Sequence, residues 1–125
     1  AMVLALVMTL SLAVSANAAF KDVKDIDETY AEAVEVLTGM KVFKGYEDGS
    51  FLPKNAITRA EVAAVTCRLL ERSADQNYIR SHLNELRTFA DVTENHWAYW
   101  YAMESANGHD YTKSGGSENW SRTYR

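Results

Sequence analysis

The stretch GYEDGSFLPKNAITRAEV, residues 45–62, decides how this 125-residue chain folds. Its first part is a turn, because an Asp-Gly pair favours a tight reversal of the backbone. Pro53 disfavours helix in the residue before it. Thr58 then has the position of a helix N-cap, and Glu61 completes a capping box, since each side chain can reach the backbone N–H of the other. The stretch therefore predicts a turn followed by a helix that runs to about Arg72.

A second helical pattern lies upstream of the turn. Thr29 and Glu32 have capping-box spacing, and Gly39 follows the pattern where a helix C-terminus favours glycine. We predict a short amphipathic helix over residues 30–38, whose buried face comprises Tyr30, Ala33, Val34 and Leu37. The helix that starts after Thr58 is expected to bury Val62, Ala63, Thr66, Leu69 and Leu70, with Cys67 beside them.

The first residues have the pattern of an export signal. Residues 3–14 are almost wholly apolar and lead into a small-residue segment that predicts cleavage after Ala18. The apolar run is short for a membrane span, which takes about 20 residues. No Lys or Arg precedes Lys21, so we expect a signal peptide truncated at its N-terminus. The mature chain is then expected to be secreted, with no membrane span.

Composition and spacing exclude several classes of function. The net charge is −4 and basic residues form no cluster, so no nucleic-acid partner is predicted. Cys67 has no histidine in a recognisable arrangement with it, so we predict a buried core residue and no catalytic residue. If Gly49 were the sixth position of a calcium loop, Lys44 would be the first and Asn55 the twelfth, and neither is acidic. No metal and no cofactor are predicted.

The chain contains an internal repeat. Residues 89–92, FADV, repeat residues 20–23, FKDV, and a His-Trp-Ala segment at 96–98 stands where Thr-Tyr-Ala stood at 29–31. Repeats of this kind indicate a unit that occurs more than once. The second copy does not continue into another turn and capping box. Residues 109–125 show no helical or strand periodicity, and we expect them to be poorly ordered.

Taken together, these motifs resemble the S-layer homology (SLH) domain family. They are an F-x-D-V opening, an aromatic-Ala pair, a G-Y-x-D-G-S-F-x-P turn and an I-T-R-A-E helix start, in that order. The structural motif residues that carry the match are Phe20, Asp22, Val23, Tyr30, Phe51, Pro53, Ile57 and Glu61, with Phe89, Asp91 and Trp97 in the second copy. Trp97 is expected to pack in the core rather than to stack on a sugar.

The resemblance implies a mainly α fold with a short helix–loop–helix SLH module, a partial second module and a disordered C-terminal tail. The segments are expected at residues 1–18 (signal peptide), 19–72 (first module), 73–88 (linker, with the pattern of a connecting helix over 78–87), 89–108 (partial second module) and 109–125 (divergent or frame-shifted tail).

The resemblance also implies a non-catalytic anchor at the cell wall or S-layer surface. Such modules bind a secondary cell-wall polysaccharide, often pyruvylated, and assemble with other SLH modules, here in trans. Arginine suits the pyruvate carboxylate because its guanidinium forks onto it with two hydrogen bonds. Arg59 opens its helix, where free N–H groups and the helix dipole favour an anion. The expected ligand-binding residues are Arg59, Tyr46, Gly45, Asp48, Gly49 and Thr58.

Other interpretations stay open. Thr58 is also explained as a helix cap, and Asp48 and Gly49 as turn residues. Tyr46 suits packing and binding about equally. For the chain as a whole, the alternatives are a structural role in S-layer self-assembly, which would be indifferent to Arg59, and a non-functional fragment of a larger SLH protein.

Overall fold

The computed structural model describes residues 20–124. Within them, the regular elements are α1 (Glu28–Gly39), α2 (Arg59–Leu69), α3 (Gln76–Ser81), α4 (Tyr99–Ala106), β1 (Gly108–Ser114) and β2 (Ser117–Tyr124). Short 3-10 helices at Val23–Asp25 and Leu83–Glu85 precede α1 and follow α3. This part of the chain is mainly α, as predicted, with a small antiparallel sheet that the sequence patterns do not predict. The predicted signal peptide, residues 1–18, lies outside the described residues.

Helix α1 starts earlier than predicted and uses a different cap. Asp27 is its N-cap, and the Asp27 carboxylate accepts a hydrogen bond from the Thr29 N–H at 2.8 Å. The predicted capping box of Thr29 and Glu32 is wrong, because both residues lie inside the helix. An ionised carboxylate is favoured over a hydroxyl at this end by the helix dipole. Of the predicted buried face, Val34 is buried but Tyr30 is 63% exposed.

The predicted start of helix α2 is confirmed. Thr58 Oγ1 accepts from the Glu61 N–H at 3.2 Å, and Glu61 Oε2 accepts from the Thr58 N–H at 2.8 Å. The two bonds together satisfy two donors that a helix N-terminus would otherwise leave unpaired. The helix ends at Leu69, and Leu70 follows it as the C-cap.

The predicted buried face of α2 is wrong in part. The residues that α2 buries are Ala64 and Cys67, on the side that packs against α4. Cys67 is 3% exposed, as predicted, with its sulfur 3.4 Å from the hydroxyl oxygen of Ser105 in α4. Three residues of the predicted buried face lie on the surface: Val62, Leu69 and Leu70 are 47%, 52% and 59% exposed. No described element covers that side of the helix.

The segment predicted as a linker contributes to the core. It holds α3 and the 3-10 helix after it, in place of one helix over residues 78–87. Asp75 caps α3 by accepting from the Tyr78 N–H at 3.0 Å, and its other oxygen accepts from the Trp120 N–H of β2 at 3.0 Å. Ile79 is fully buried and Leu86 is 8% exposed. One carboxylate thus fixes both a helix start and the hairpin beside it.

The prediction of a disordered tail is wrong for the residues that the structure describes. Strands β1 and β2 pair antiparallel along their length, with a bulge after Asp110. Gly115 and Gly116 make the turn with φ of +59° and +84°, the left-handed conformation that a two-residue type I′ turn requires. The strands escape a periodicity search because the side chain that β1 buries is polar, His109, while β2 buries both a charged residue, Glu118, and Trp120.

The hairpin closes a hydrophobic core against the second half of the chain. Its buried members come from α3, the residue after the second 3-10 helix, α4 and β2: they are Ile79, Leu86, Tyr99, Met103 and Trp120. The Asn107 side chain ties the end of α4 to the preceding loop, since its carbonyl accepts from the Arg87 N–H at 2.7 Å. The tail therefore forms part of the core of the second half of the chain.

Two aromatic residues at matching repeat positions lie on the surface. Trp97 is 56% exposed, so the prediction that it packs in the core is wrong, and Tyr30 is similarly exposed. Helix α4 begins at Tyr99, which turns Tyr99 and Met103 inward one helical turn apart and leaves Trp97 outside. Among the described residues, no helix has both the length and the apolar character to cross a bilayer.

Candidate functional site

The turn before α2 depends on a glycine. Gly45 has φ of +68°, and a Cβ added to it would lie 2.4 Å from Phe20 Cε1 and 2.7 Å from the Ser50 carbonyl oxygen. Across the turn, the Tyr46 N–H donates to the Ser50 carbonyl at 2.8 Å. Gly49 also has a left-handed φ, +81°, but a Cβ there would meet open space. Gly45 is therefore required for both its backbone conformation and its close contacts.

Asp22 holds the far end of the turn. Its two carboxylate oxygens accept from the N–H groups of Phe51 and Leu52, each at 2.8 Å. The Phe51 ring packs between Phe20 and Phe43, with ring centroids 5.1 and 5.4 Å away. The hydrogen bonds, chiefly that from Phe51, lower the pKa of Asp22. The F-x-D-V opening is thus the strap that fastens the turn to the start of the domain.

Asp48 is engaged within the turn. It forms an ion pair with Lys21, and its Oδ1 accepts from the Ser50 N–H at 3.1 Å and from the Ser50 hydroxyl at 2.6 Å. Lys21, followed by Ser50, holds the pKa of Asp48 well below its ordinary value. Both carboxylate oxygens of Asp48, an expected ligand-binding residue, are therefore already bonded to other residues of the protein.

Glu61 connects the turn to the start of α2. The Tyr46 hydroxyl donates to Glu61 Oε1 at 2.7 Å, while Glu61 Oε2 accepts from the Thr58 N–H and hydroxyl, both at 2.8 Å. The bonds, led by the Thr58 N–H, lower the pKa of Glu61, and the bond to Glu61 raises the pKa of Tyr46. Tyr46 remains 42% exposed although its hydroxyl is hydrogen-bonded to Glu61.

Arg59 differs from the other expected ligand-binding residues. It is the first residue of α2 and is exposed, and its side chain makes no hydrogen bond or ion pair with any residue in 20–124. The Tyr46–Glu61 hydrogen bond brings the turn next to this helix end. We name residues 45–61 the turn–helix surface. On it, Arg59 is a positive charge without a protein partner, set on a rigid, capped helix start.

A second polar cluster lies elsewhere, between α2, α4 and the hairpin, and the sequence analysis missed it. It comprises Arg72, Glu104, His109 and Glu118. The hairpin brings two of these residues together, since His109 lies on β1 and Glu118 on β2. The Gly115-Gly116 pair between Thr-, Tyr- and Trp-containing segments is the signal that could have predicted this hairpin.

Comparison with known proteins identifies the first of these two regions, the turn–helix surface, as part of a known domain family. Residues 19–63 match the family model described as the S-layer homology domain. The match covers the Asp22 strap, the turn and the first part of α2. No solved structure matches the chain.

Curated relatives carry names of surface and anchoring proteins. The chain is 38% identical over 84 residues to a cellulosome-anchoring protein of Acetivibrio thermocellus, covering 66% of the chain and 17% of that protein. It is 38% identical over 81 residues to cell surface glycoprotein 1 of the same organism, covering 64% and 3%. A cell surface protein of Thermoanaerobacter kivui is 33% identical over 102 residues, covering 76% and 13%. The chain thus spans less than a fifth of each relative, and these names are consistent with a cell-surface location.

Proposed function

From the S-layer homology domain that the chain carries at residues 19–63, we propose a non-catalytic anchor that holds the secreted protein to the cell wall. The proposed ligand is a secondary cell-wall polysaccharide with pyruvate ketals, bound at the turn–helix surface. Arg59 would fork onto the pyruvate carboxylate, and the exposed face of Tyr46 would pack against a sugar ring. Gly45, Asp48, Gly49 and Thr58 would act by shaping this surface.

The unpartnered Arg59 carries the proposal. A capping box needs no arginine at the first helical position, and the side chains of Tyr46, Asp48 and Glu61 nearby are already hydrogen-bonded within the protein. The helix dipole adds to the attraction for an anion at this end. Glu61 lies close by, but its carboxylate is occupied by Tyr46 and Thr58, so it does not pair with the guanidinium.

The proposal is tested by co-sedimentation of the 125-residue chain with purified wall sacculi, before and after chemical removal of the secondary polysaccharide. We expect binding that is lost with the polymer and that falls about tenfold or more in Arg59→Ala, as for a lost charge-assisted hydrogen bond. Arg59→Lys should recover only part of the affinity, because an ammonium cannot fork.

Arg87→Ala is the matched control, because it removes an exposed arginine outside the domain and changes the net charge equally. Circular dichroism would verify that both variants fold. Binding that is equal in Arg59→Ala and Arg87→Ala would contradict the assigned site, and binding that survives polymer removal would contradict the ligand.

A second candidate function is self-assembly with other SLH modules. Helices α1 and α2 expose large apolar side chains that no described element covers, namely Tyr30, Val36, Met40, Val62, Leu69 and Leu70. Exposed large apolar side chains are typical of protein interfaces where they join into one patch. Sedimentation velocity over a range of concentrations tests it: assembly should grow with concentration and be unchanged in Arg59→Ala.

A further inference from the structure

The cluster behind the hairpin concentrates negative charge in the protein interior. The side chains of Glu104, His109 and Glu118 are 4%, 2% and 0% exposed. His109 Nε2 lies 3.5 Å from Glu104 Oε1 and 3.4 Å from Glu118 Oε2. Carboxylates are rarely buried unless they are paired or bind a metal ion. Compensating positive charge would stabilise the ionised form of these carboxylates.

The His109 ring is held in the tautomer that a metal ligand needs. Its Nδ1 lies 2.6 Å from the Asn107 carbonyl oxygen and donates to it, so that Nε2 turns its lone pair toward the two carboxylates. The ring stacks on Trp120 with centroids 3.6 Å apart and planes inclined by 16°. A second-shell carbonyl that fixes tautomer and orientation is a regular feature of metal-binding histidines.

The spacing of the three side chains fits a tetrahedral ion. Bonds of about 2.0–2.2 Å from zinc to nitrogen and oxygen place neighbouring ligand atoms about 3.3–3.5 Å apart. The two distances from His109 Nε2 to the carboxylates agree with that edge, and ligand atoms from all three residues lie within 4.8 Å of one another. These distances are too long for strong hydrogen bonds.

One carboxylate oxygen of the cluster has no partner among the described residues. Glu104 Oε2 is buried and accepts no hydrogen bond from any residue in the described part of the chain. Glu104 and His109 line a cavity of about 360 Å³ that also reaches Cys67, Ser105 and Asn107. An unsatisfied buried carboxylate oxygen is costly, and a bound ion would satisfy it. The cavity leaves room for a water molecule as a further ligand.

Arg72 supplies one positive charge to this cluster. Its Nη2 lies 2.8 Å from Glu104 Oε1 and 2.8 Å from His109 Nε2, and its Nε donates to Glu118 Oε1 at 2.6 Å. When both carboxyl groups are ionised, the single guanidinium leaves a net charge of −1 on these three side chains. The side chain is 27% exposed and lies over the Tyr111 ring, so it has a path to solvent.

We propose that Glu104, His109 and Glu118 form a binding site for a divalent transition-metal ion of the Zn²⁺ type, with Arg72 as the competing cation. One imidazole and two carboxylates suit Zn²⁺, whereas Mg²⁺ and Ca²⁺ prefer sites made of oxygen alone. A bound ion would tie α4 to both strands of the hairpin, and so would stabilise the second half of the chain. This site is independent of the turn–helix surface and of the proposed glycan binding. The calcium-loop test around Gly49 does not bear on it.

The test is titration of the full chain with Zn²⁺, followed by calorimetry and thermal unfolding, with Mg²⁺ as a control ion. Co²⁺ serves as a spectroscopic probe, because tetrahedral coordination gives intense visible absorption. We expect Zn²⁺ to raise the Tm, and His109→Gln to weaken Zn²⁺ binding by at least about 10–100-fold, a loss that outer-shell changes alone can cause. His82→Gln, which removes a histidine outside the cluster, should bind Zn²⁺ as the wild type does.

Arg72→Ala separates a metal site from a simple ion-pair network. If the proposal holds, this variant is less stable without metal but binds Zn²⁺ more tightly than the wild type, and Zn²⁺ restores its Tm. A destabilised variant that Zn²⁺ does not rescue would overturn the proposal. So would absence of Zn²⁺-dependent stabilisation and of tetrahedral Co²⁺ absorption in the wild type, a result that stands even if the variant fails to fold.

Discussion

The two copies of the F-x-D-V motif form the same local turn but hold different partners. In the first copy, the Val23 N–H donates to the Phe20 carbonyl at 3.1 Å, and in the second, the Val92 N–H donates to the Phe89 carbonyl at 3.3 Å. The first copy fastens a glycine-rich turn that leads into α2. The second is followed by α4 and a hairpin.

The aspartates of the two copies show the difference most clearly. Asp22 accepts two backbone hydrogen bonds from the turn. Asp91 is exposed and, within residues 20–124, forms no hydrogen bond or ion pair with another residue. The motif therefore encodes a local turn, and the segment that follows determines whether its aspartate has a structural role. In the second half, a hairpin core replaces the turn.

The substitution with the largest expected effect is Trp120→Ala, which tests whether the hairpin completes the core of the second half. Trp120 is 6% exposed in the core of the second half, and removal of such a side chain typically costs about 3–5 kcal/mol in free energy of unfolding. Urea denaturation followed by circular dichroism would measure it. Trp97→Ala is the control, since Trp97 is 56% exposed and surface changes stay within about 0.5 kcal/mol. Equal, small effects would mean that the hairpin does not complete the core.

The domain that matches the family was largely predictable from the sequence. The capping box of Thr58 and Glu61 is a local pattern, because its two hydrogen bonds join residues three positions apart. The turn at residues 45–50 is local as well, because the backbone hydrogen bonds within it join residues three or four positions apart. The role of Asp22 is not, since its partners at Phe51 and Leu52 are distant in sequence, and only the resemblance pointed to it.

The second half was less predictable because its contacts are long-range and because apolar and polar residues do not alternate along the sequence of its strands. Asp75 bonds to Trp120, and Arg72 to Glu118, across large sequence separations. Periodicity assumes that buried residues are apolar, whereas β2 buries Glu118. It also assumes that the whole apolar face of a helix is covered, whereas α1 buries Val34 and leaves Tyr30 exposed. The sites assigned to Arg59 and its neighbours stay predictions.

A second test concerns the turn that the second half lacks. Gly45→Ala should destabilise the protein by about 1–2 kcal/mol for the left-handed backbone, with about 1–3 kcal/mol more from overpacking against Phe20 and Ser50. Gly49→Ala has a similar φ and open space, so it should show the backbone cost alone. Thermal unfolding of both variants measures the difference. Indistinguishable Tm values would show that the Phe20 contact does not constrain the turn.

The smallest effect, and the most direct comparison of the two copies, comes from Asp22→Asn and Asp91→Asn. An amide has one acceptor oxygen, so Asp22→Asn leaves one turn N–H facing an NH₂ group, whereas Asp91→Asn changes no contact in the described residues. The hydrogen bonds lower the folded-state pKa of Asp22 below its ordinary value of 3.8. Its stabilisation is therefore fully present above that ordinary value and is lost as pH falls through the lowered one.

The Tm gap between wild type and Asp22→Asn should accordingly be constant near neutral pH and shrink in strong acid. Asp91→Asn should follow the wild type at every pH. A pH series of thermal unfolding curves on the three proteins measures this. If the two variants behaved alike, the first copy would owe its turn to the glycines and the aromatic packing alone, and the strap assigned to Asp22 would have no energetic role.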